Sequence, residues 1–173
     1  MSDDIKRHVA IGIALNNVLV PQLKRFVDSK LISLYQQLVI KYKIDSQLQS
    51  SFGDREQYKK IAREEGFQNV KPNDPLPTII CSHHELAKLY LQPFMRHFNN
   101  INDEKFDASA ALMILEKASC FKTEEKDLAK KIKQNTRNPW AHCNFREWDD
   151  NKFLESFKDM KELGGVLTLP RER

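Results

Sequence analysis

The chain has 173 residues, of which 40% are hydrophobic and 30% are charged. This length predicts one domain that buries a core without the support of a disulfide or a metal. The chain has only 5 glycines and 7 prolines, which disfavours turn-rich β folds, collagen-like repeats and disorder. We therefore predict an all-α fold, a compact bundle of five to six helices, as a single domain over residues 1–173.

The cysteines favour an intracellular protein, and the charge is compatible with a nucleic-acid partner. The net charge of +4 is mildly basic, which suits a nucleic-acid partner without requiring one. Cys81, Cys120 and Cys143 are widely spaced and form no CxxC pair, so reduced thiols are expected. The early apolar run Val9–Leu15 is far shorter than the roughly 20 residues that cross a membrane. We expect a cytoplasmic protein with no membrane partner and no cofactor.

The N-terminal residues 3–43 show helical periodicity, with apolar residues three or four positions apart. Ser2 or Asp3 is placed to cap the start of this stretch. Pro21 lies between two periodic halves. It predicts the end, or a kink, of a first helix and the beginning of a second.

Residues 44–81 are predicted to form an irregular insert. Within it, a charged surface helix is expected over residues 54–65, ended by Gly66. A loop should follow over residues 66–81, because three prolines lie between Lys71 and Pro77 and forbid a continuous helix.

Clear start signals mark the helices of the C-terminal half. Ser82–Glu85 is a capping box, another helix is predicted from about Asp107 to Ala118, and a further one begins at Thr123. The last helix should begin near residues 148–150 and end at Gly164-Gly165.

The helix that begins at Thr123 carries a basic stripe opposite its apolar side. The stripe consists of Lys126, Lys130, Lys133 and Arg137. Spacings of four, three and four residues place these side chains within about 60° of one another on an α-helix. Most charge runs are ordinary solvated faces, but this one leads directly into a second feature.

The segment Arg137-Asn-Pro-Trp-Ala-His142 combines residue types that bind and cleave phosphodiesters. Asparagine is favoured as an N-cap and proline at the first helical position, so we predict that Asn138 caps a short helix with His142 on the same face. A helix N-terminus beside an arginine is an anion site. A histidine there can move a proton near neutral pH, and the 2′-hydroxyl of RNA supplies a nucleophile without a metal. Because one histidine cannot easily be both base and acid, a symmetric homodimer is expected.

The chain contains nine arginines and five histidines, so the Arg-x4-His spacing alone is weak evidence. The motif nevertheless resembles the Arg-Asn-x3-His signature of the HEPN superfamily (higher eukaryotes and prokaryotes nucleotide-binding). The segments Val20-Pro-Gln-Leu, Ser82–Pro93, Asp107-Ala-Ser-Ala and Glu147-Trp-Asp look similar to HEPN-like modules of large animal proteins. Those proteins often carry NACHT-type ATPase, leucine-rich-repeat or death-fold domains. The resemblance covers roughly residues 5–163.

The resemblance implies a bundle of four or five helices that dimerises through the motif face. It implies that Arg137 and His142 are the catalytic pair of a metal-independent endoribonuclease, with Asn138 orienting them. Asn144 stands where a toxin subgroup has a tyrosine, so this chain does not resemble that subgroup. Several animal members bind nucleotides or dimerise without demonstrated cleavage.

Three functions stay open at this point. The first is cleavage of single-stranded RNA by Arg137, Asn138 and His142, with Lys126, Lys130 and Lys133 as a track for the strand. The second is a non-catalytic nucleotide-binding, RNA-binding or dimerisation module of a larger signalling or innate-immune protein. The third is a structural role, in which Arg137 caps a helix or pairs with an acidic neighbour.

A metal site at His83-His84, with Glu85 and Cys81 nearby, is a weaker alternative. Adjacent residues of a helix point in different directions, and Glu85 already has a role in the capping box. The sequence therefore predicts no metal site.

Overall fold

The computed structural model describes residues 2–46, 55–68, 79–96, 101 and 106–167, and all regular structure in these residues is helical. The α-helices are α1 (Asp3–Ile13), α2 (Val20–Tyr42), α3 (Arg55–Glu65), α4 (His83–Leu89), α5 (Ala108–Lys117), α6 (Thr123–Ile132), α7 (Asn138–Ala141) and α8 (Asp150–Val166). Six of them have ten residues or more. This confirms the predicted all-α bundle of five to six helices.

A π-helical segment, Ala14–Leu19, joins α1 to α2 without a break. The N–H of Val20 donates to the carbonyl of Leu15, five residues back, and the side-chain amide of Asn16 donates to the carbonyl of Gly12 at 3.0 Å. Pro21 lies in the first turn of α2, as predicted. The helix therefore neither ends nor begins anew at Pro21. Instead, its hydrogen bonds change to the π pattern just before this proline, which has no N–H to donate.

Side-chain caps fix the starts of α4 and α5 where the sequence predicted them. The hydroxyl of Ser82 accepts from the Glu85 N–H at 3.3 Å, and the Glu85 carboxylate accepts from the Cys81 N–H at 2.6 Å. A carboxylate oxygen of Asp107 accepts from the Ala110 N–H at 2.8 Å. Each cap satisfies a donor that the first helical turn leaves without a partner.

The charged helix predicted within the insert is α3, which ends at Gly66 with a left-handed φ of +83°. It is more than a surface helix, because Tyr58 and Ile61 are buried. The Glu65 carboxylate, also buried, accepts from the Ser119 hydroxyl. Residues 69–78 of the predicted loop lie outside the described part of the chain.

The centre of the bundle is α5, which packs between α2 and α6. Its residues Ala110, Ala111, Leu112, Ile114 and Leu115 have no exposed surface. The buried apolar residues of all the long helices form one continuous cluster around it. Such a continuous core stabilises the fold mainly through burial of apolar surface.

The last helix packs against α6 and α1. It passes through Gly164 and Gly165 and ends at Val166, so the prediction that this glycine pair ends the helix was wrong. Both glycines are helical here, and the buried Leu163 and Leu167 anchor the end of the helix on the core.

The longest helix, α2, has 23 residues, and its buried side chains recur every three or four positions, as in an amphipathic helix. Among the described residues, no helix combines the length and the apolar character that crossing a membrane requires.

Replacement of Gly66 by alanine tests how α3 ends against α5. The new Cβ would lie 2.2 Å from the carbonyl oxygen of Lys117, and the left-handed backbone adds strain. We expect the free energy of unfolding to fall by about 1–3 kcal/mol in urea denaturation followed by circular dichroism.

The matched control is Gly165→Ala, whose Cβ meets no atom within 4 Å. Alanine within a helix is more stable than glycine by up to about 1 kcal/mol, so this variant should equal or exceed the wild type. Equal stability of the two variants would contradict the packing described for Gly66.

Candidate functional site

The Arg137–His142 motif lies where a second π-helical segment, Lys133–Arg137, continues α6 directly into α7. Asn138 has helical dihedral angles, and its N–H donates to the carbonyl of Lys133. The short helix is therefore present as predicted, but Asn138 does not cap it. Because the helix continues through the motif, the start of α7 is no free N-terminus for an anion. Anion binding here must come from side chains.

The motif is held on α1 by an aromatic cluster. The imidazole of His8 lies 2.9 Å from the carbonyl oxygen of Trp140 and stacks on the Trp140 ring at 5.8 Å between centroids. Phe145 meets the same imidazole edge-on at 4.8 Å. The indole of Trp140 also packs so closely on Gly12 that a Cβ there would lie 2.6 Å from the indole nitrogen.

The chain that follows the motif is fixed by Trp148 and Arg7. Trp148 has no exposed surface, and its carbonyl accepts from the Arg7 guanidinium at 3.5 Å. Arg7 also pairs with Asp4 at 3.0 Å and with Asp150 at the start of α8. Two sets of contacts therefore hold this part of the chain on α1: His8 and Gly12 contact the motif, and Arg7 binds the turn after it.

The guanidinium of Arg137 has acidic and amide partners. It lies 3.5 Å from the Asp107 carboxylate, and it donates to the side-chain oxygen of Asn138 at 3.3 Å. Asp107 uses its other oxygen to cap α5, so Arg137 connects the motif to the start of the central helix. The side chains of Arg137 and Asp107 are 27% and 46% exposed, which makes this pair a partly solvated one.

His142 lies at the end of α7 and is exposed. Its N–H donates to the carbonyl of Asn138 at 3.1 Å, and Cys143 then turns the chain with a positive φ of 54°. The structure joins Arg137 to Asn138 directly. Within the described residues it shows no hydrogen bond or ion pair between the His142 imidazole and either of them.

The predicted basic stripe is divided by a nearly buried ion pair. The Lys133 ammonium is bonded to the Glu116 carboxylate, with 17% and 11% of the two side chains exposed. Burial by itself would raise the pKa of Glu116, but hydrogen bonds from Lys133 and Lys117 outweigh it and lower that pKa. Lys126 and Lys130 form no ion pair within the described residues. Only these two of the stripe lysines therefore present a charge that a strand of RNA can meet.

A polar cleft of about 390 Å³ opens between the second π segment, α7 and the start of α8. Its lining includes Pro139 from the motif, the carboxylates of Asp149, Glu155 and Asp159, and the ammonium group of Lys152. Asp159 is buried and binds Lys131 at 2.8 Å, while its second oxygen has no partner. The three carboxylates outnumber the ammonium groups of Lys152 and Lys131. This excess of negative charge makes the cleft a poor site for phosphate, so a strand would have to cross the other side of the motif.

Two exposed residues on the turn after His142 had no role in the sequence analysis. Phe145 is 41% exposed although one edge contacts His8, and Arg146 is exposed. An aromatic ring beside a cation is a common arrangement for stacking a base and binding its phosphate. Their position just after His142 in the chain is the sequence signal that could have identified them.

The two adjacent histidines of α4 contradict the expectation that they point apart. Both His83 and His84 direct their Nε2 atoms at one carboxylate oxygen of Asp28 on α2, at 3.0 and 3.6 Å. They are the first two residues of α4, where the chain enters the helix from an extended residue.

No protein-family model, curated protein or solved structure matches this chain.

Replacement of Glu116 by glutamine should destabilise the protein at neutral pH, because Lys133 loses its nearly buried partner. Hydrogen bonds to charged groups contribute about 1.5–3 kcal/mol, and we expect a loss in that range in urea denaturation at pH 7. The lowered pKa means that this contribution is present above the ordinary value of 4.5 and is lost as the pH falls through the folded-state pKa.

The difference between wild type and Glu116→Gln should therefore shrink on acidification. The exposed Glu162 serves as the control, and Glu162→Gln should change stability by no more than about 0.5 kcal/mol at either pH. A Glu116→Gln effect that does not depend on pH would contradict the ion pair.

Proposed function

We propose that this chain is a metal-independent endoribonuclease that cleaves single-stranded RNA through Arg137 and His142 in a homodimer. The observation that carries the proposal is the placement of an exposed imidazole one turn after a partly exposed guanidinium. Both lie on a helix end that an aromatic cluster fixes to α1. The resemblance of the motif to the HEPN signature is consistent with this use of the two residues.

Arg137 can exchange its carboxylate partner for a phosphate at small cost. Partly exposed ion pairs of this kind contribute about 0–1 kcal/mol, and the 3.5 Å separation from Asp107 is long. A phosphodiester offers two non-bridging oxygens that match the planar guanidinium fork. Asn138, which accepts from Arg137, holds that fork in place during the exchange.

The proposed reaction needs only one base, one acid and a phosphate ligand. His142 removes the proton of the 2′-hydroxyl, whose oxygen attacks the adjacent phosphorus while Arg137 stabilises the charge on the non-bridging oxygens. The bond from phosphorus to the 5′-oxygen breaks, and the leaving oxygen takes a proton from His142 of the second protomer. The products are a 2′,3′-cyclic phosphate and a 5′-hydroxyl, and no metal takes part.

The strand would reach the site over Lys126 and Lys130 and past the turn after His142. Lys133 is not part of this track, because Glu116 neutralises it. Arg146 replaces it as the nearby cation, and Phe145 offers a surface for stacking a base.

A non-catalytic role is the second candidate, and the paired state of Arg137 favours it. The guanidinium already has Asp107 and Asn138 as partners. In the described part of the chain, no hydrogen bond or ion pair joins it to the His142 imidazole. In that case the motif face binds RNA or a nucleotide, or joins two copies, within a larger cytoplasmic signalling or innate-immune protein. Partner domains of the NACHT or leucine-rich-repeat type would fit the resemblance.

Cleavage of a labelled, unstructured RNA in excess EDTA separates these candidates. His142→Gln should slow cleavage by at least about 100-fold, the usual minimum for a positioned acid or base, and Arg137→Ala should reduce it comparably. The DNA analogue should stay intact, because it has no 2′-hydroxyl.

Lys158→Ala is the matched control, since it removes an exposed charge from α8, and it should cleave like the wild type. Equal cleavage by wild type and His142→Gln would assign the activity to another site or to a contaminant. Absence of cleavage from a dimer confirmed by light scattering would favour the non-catalytic candidate.

Binding of an uncleavable 2′-O-methyl RNA tests whether Arg137 is the phosphate ligand. Asp107→Asn keeps an N-cap acceptor for α5 but removes the charge that competes for Arg137. The Arg137–Asp107 ion pair contributes up to ~1 kcal/mol, and RNA binding no longer has to break it in this variant. We therefore expect RNA to bind about two- to fivefold more tightly in fluorescence anisotropy at fixed salt.

The charge-matched control is Glu162→Gln on α8, which should bind RNA as the wild type does. Unchanged affinity of Asp107→Asn, together with a loss of stability, would assign the Arg137–Asp107 pair a purely structural role.

A further inference from the structure

We propose that Asp28, His83 and His84 form a binding site for a divalent transition metal such as Zn²⁺. These three side chains are the only described group in which three potential metal ligands lie close together, with all ligand atoms within 4.8 Å of one another. The site is made by α2 and α4, and it takes no part in the proposed cleavage of RNA.

The two distances from Asp28 to the histidines are close to the edges of a zinc coordination sphere. Two ligands bound to zinc at 2.0–2.2 Å in a tetrahedron lie about 3.3–3.5 Å apart. The Asp28 oxygen lies 3.0 Å from Nε2 of His83 and 3.6 Å from Nε2 of His84. Two of the three edges are therefore close to these values, and the two Nε2 atoms that form the third edge lie within 4.8 Å of each other.

The backbone holds both imidazoles in position before any metal arrives. The Ser82 cap fixes the first turn of α4, which contains both histidines, and α4 packs directly on α2. The two rings lie side by side, 3.9 Å between centroids and 46° between planes. Ligands that are positioned in advance lose less side-chain entropy on binding.

The ligand types select the class of metal. Two imidazole nitrogens and one carboxylate oxygen suit zinc, copper or nickel, whereas calcium and magnesium prefer oxygen ligands alone. The side chains of His83, His84 and Asp28 are 20%, 25% and 36% exposed, so water or another small ligand can fill the remaining positions. The carboxylate of Glu85 is engaged by the Cys81 N–H, which leaves three protein ligands.

The presence of both histidines on one carboxylate oxygen has a simpler explanation, a hydrogen-bonded tether between α2 and α4. The two explanations differ in a measurable way. A hydrogen-bonded tether gives no stoichiometric metal binding, whereas a site with three ligands binds one metal per chain. The bound metal would then link Asp28 to His83, 55 positions later in the chain.

Titration of the purified chain with Co²⁺, a spectroscopic substitute for Zn²⁺, tests the proposal. We expect one equivalent to produce visible absorption bands of a low-coordinate site, which Zn²⁺ then removes. Zn²⁺ should also raise the melting temperature of the wild type. The double variant His83→Gln/His84→Gln should lose the bands and the rise, and Asp28→Asn should weaken binding at least tenfold.

Two controls exclude other ligands. His142→Gln should bind Co²⁺ as the wild type does, and so should Cys81→Ser/Cys143→Ser, which removes both exposed thiols. Absence of stoichiometric binding in the wild type, or undiminished binding by the folded histidine double variant, would overturn the proposal.

If the double variant fails to fold, the wild type alone decides the question by nuclear magnetic resonance. Zn²⁺ should shift the ring-proton signals of His83 and His84, and shifts confined to other histidines would overturn the proposal. Failure of metal binding would leave the RNA proposal intact, because the cleavage assay contains excess EDTA.

Discussion

The contact between Trp140 and α1 is the interaction on which the arrangement of the motif depends. The indole lies against the bare backbone of Gly12, and His8 binds the carbonyl of Trp140 and stacks on its ring. Aromatic contacts of this kind bury large apolar areas with little loss of side-chain freedom. They fix α7 in direct continuation of α6, and with it the direction of Arg137 and the exposure of His142.

Continuity of the helix changes what the motif can do. A helix that begins at Asn138 with free N–H groups would attract a phosphate by its backbone alone, whereas this one passes through a π segment and has used the Asn138 N–H internally. The guanidinium, the imidazole and nearby lysines must then supply the binding energy. Two of those cations already have carboxylate partners, Lys133 firmly and Arg137 loosely. The burial of each pair, rather than the number of cations, decides which charge can reach RNA.

Local signals in the sequence predicted most of the fold. Residue type and spacing were enough to predict the cap at Ser82, a helix start near Asp107 and the helix end at Gly66, because each is determined within one turn of chain. The sequence did not predict the π segment before Pro21 or the helical conformation of Gly164-Gly165. Neighbouring helices determine the hydrogen-bond register and the helix end at these two places. The sequence did not predict the carboxylate partners of Arg137 and His83 for a related reason. Asp107 and Asp28 lie 30 and 55 residues from the side chains they bind, and no periodicity reports such contacts.

The central claim is that Arg137 and His142 together bind the phosphodiester of an RNA strand. The most direct measurement follows their side-chain nuclear magnetic resonance signals while a 2′-O-methyl oligoribonucleotide is added. The account predicts that the His142 imidazole and the Arg137 guanidinium shift together as the strand saturates, while the signals of His83 and His84 on α4 stay in place. Binding that leaves His142 and Arg137 unchanged, or the absence of binding at concentrations that saturate other RNA-binding domains, would contradict it.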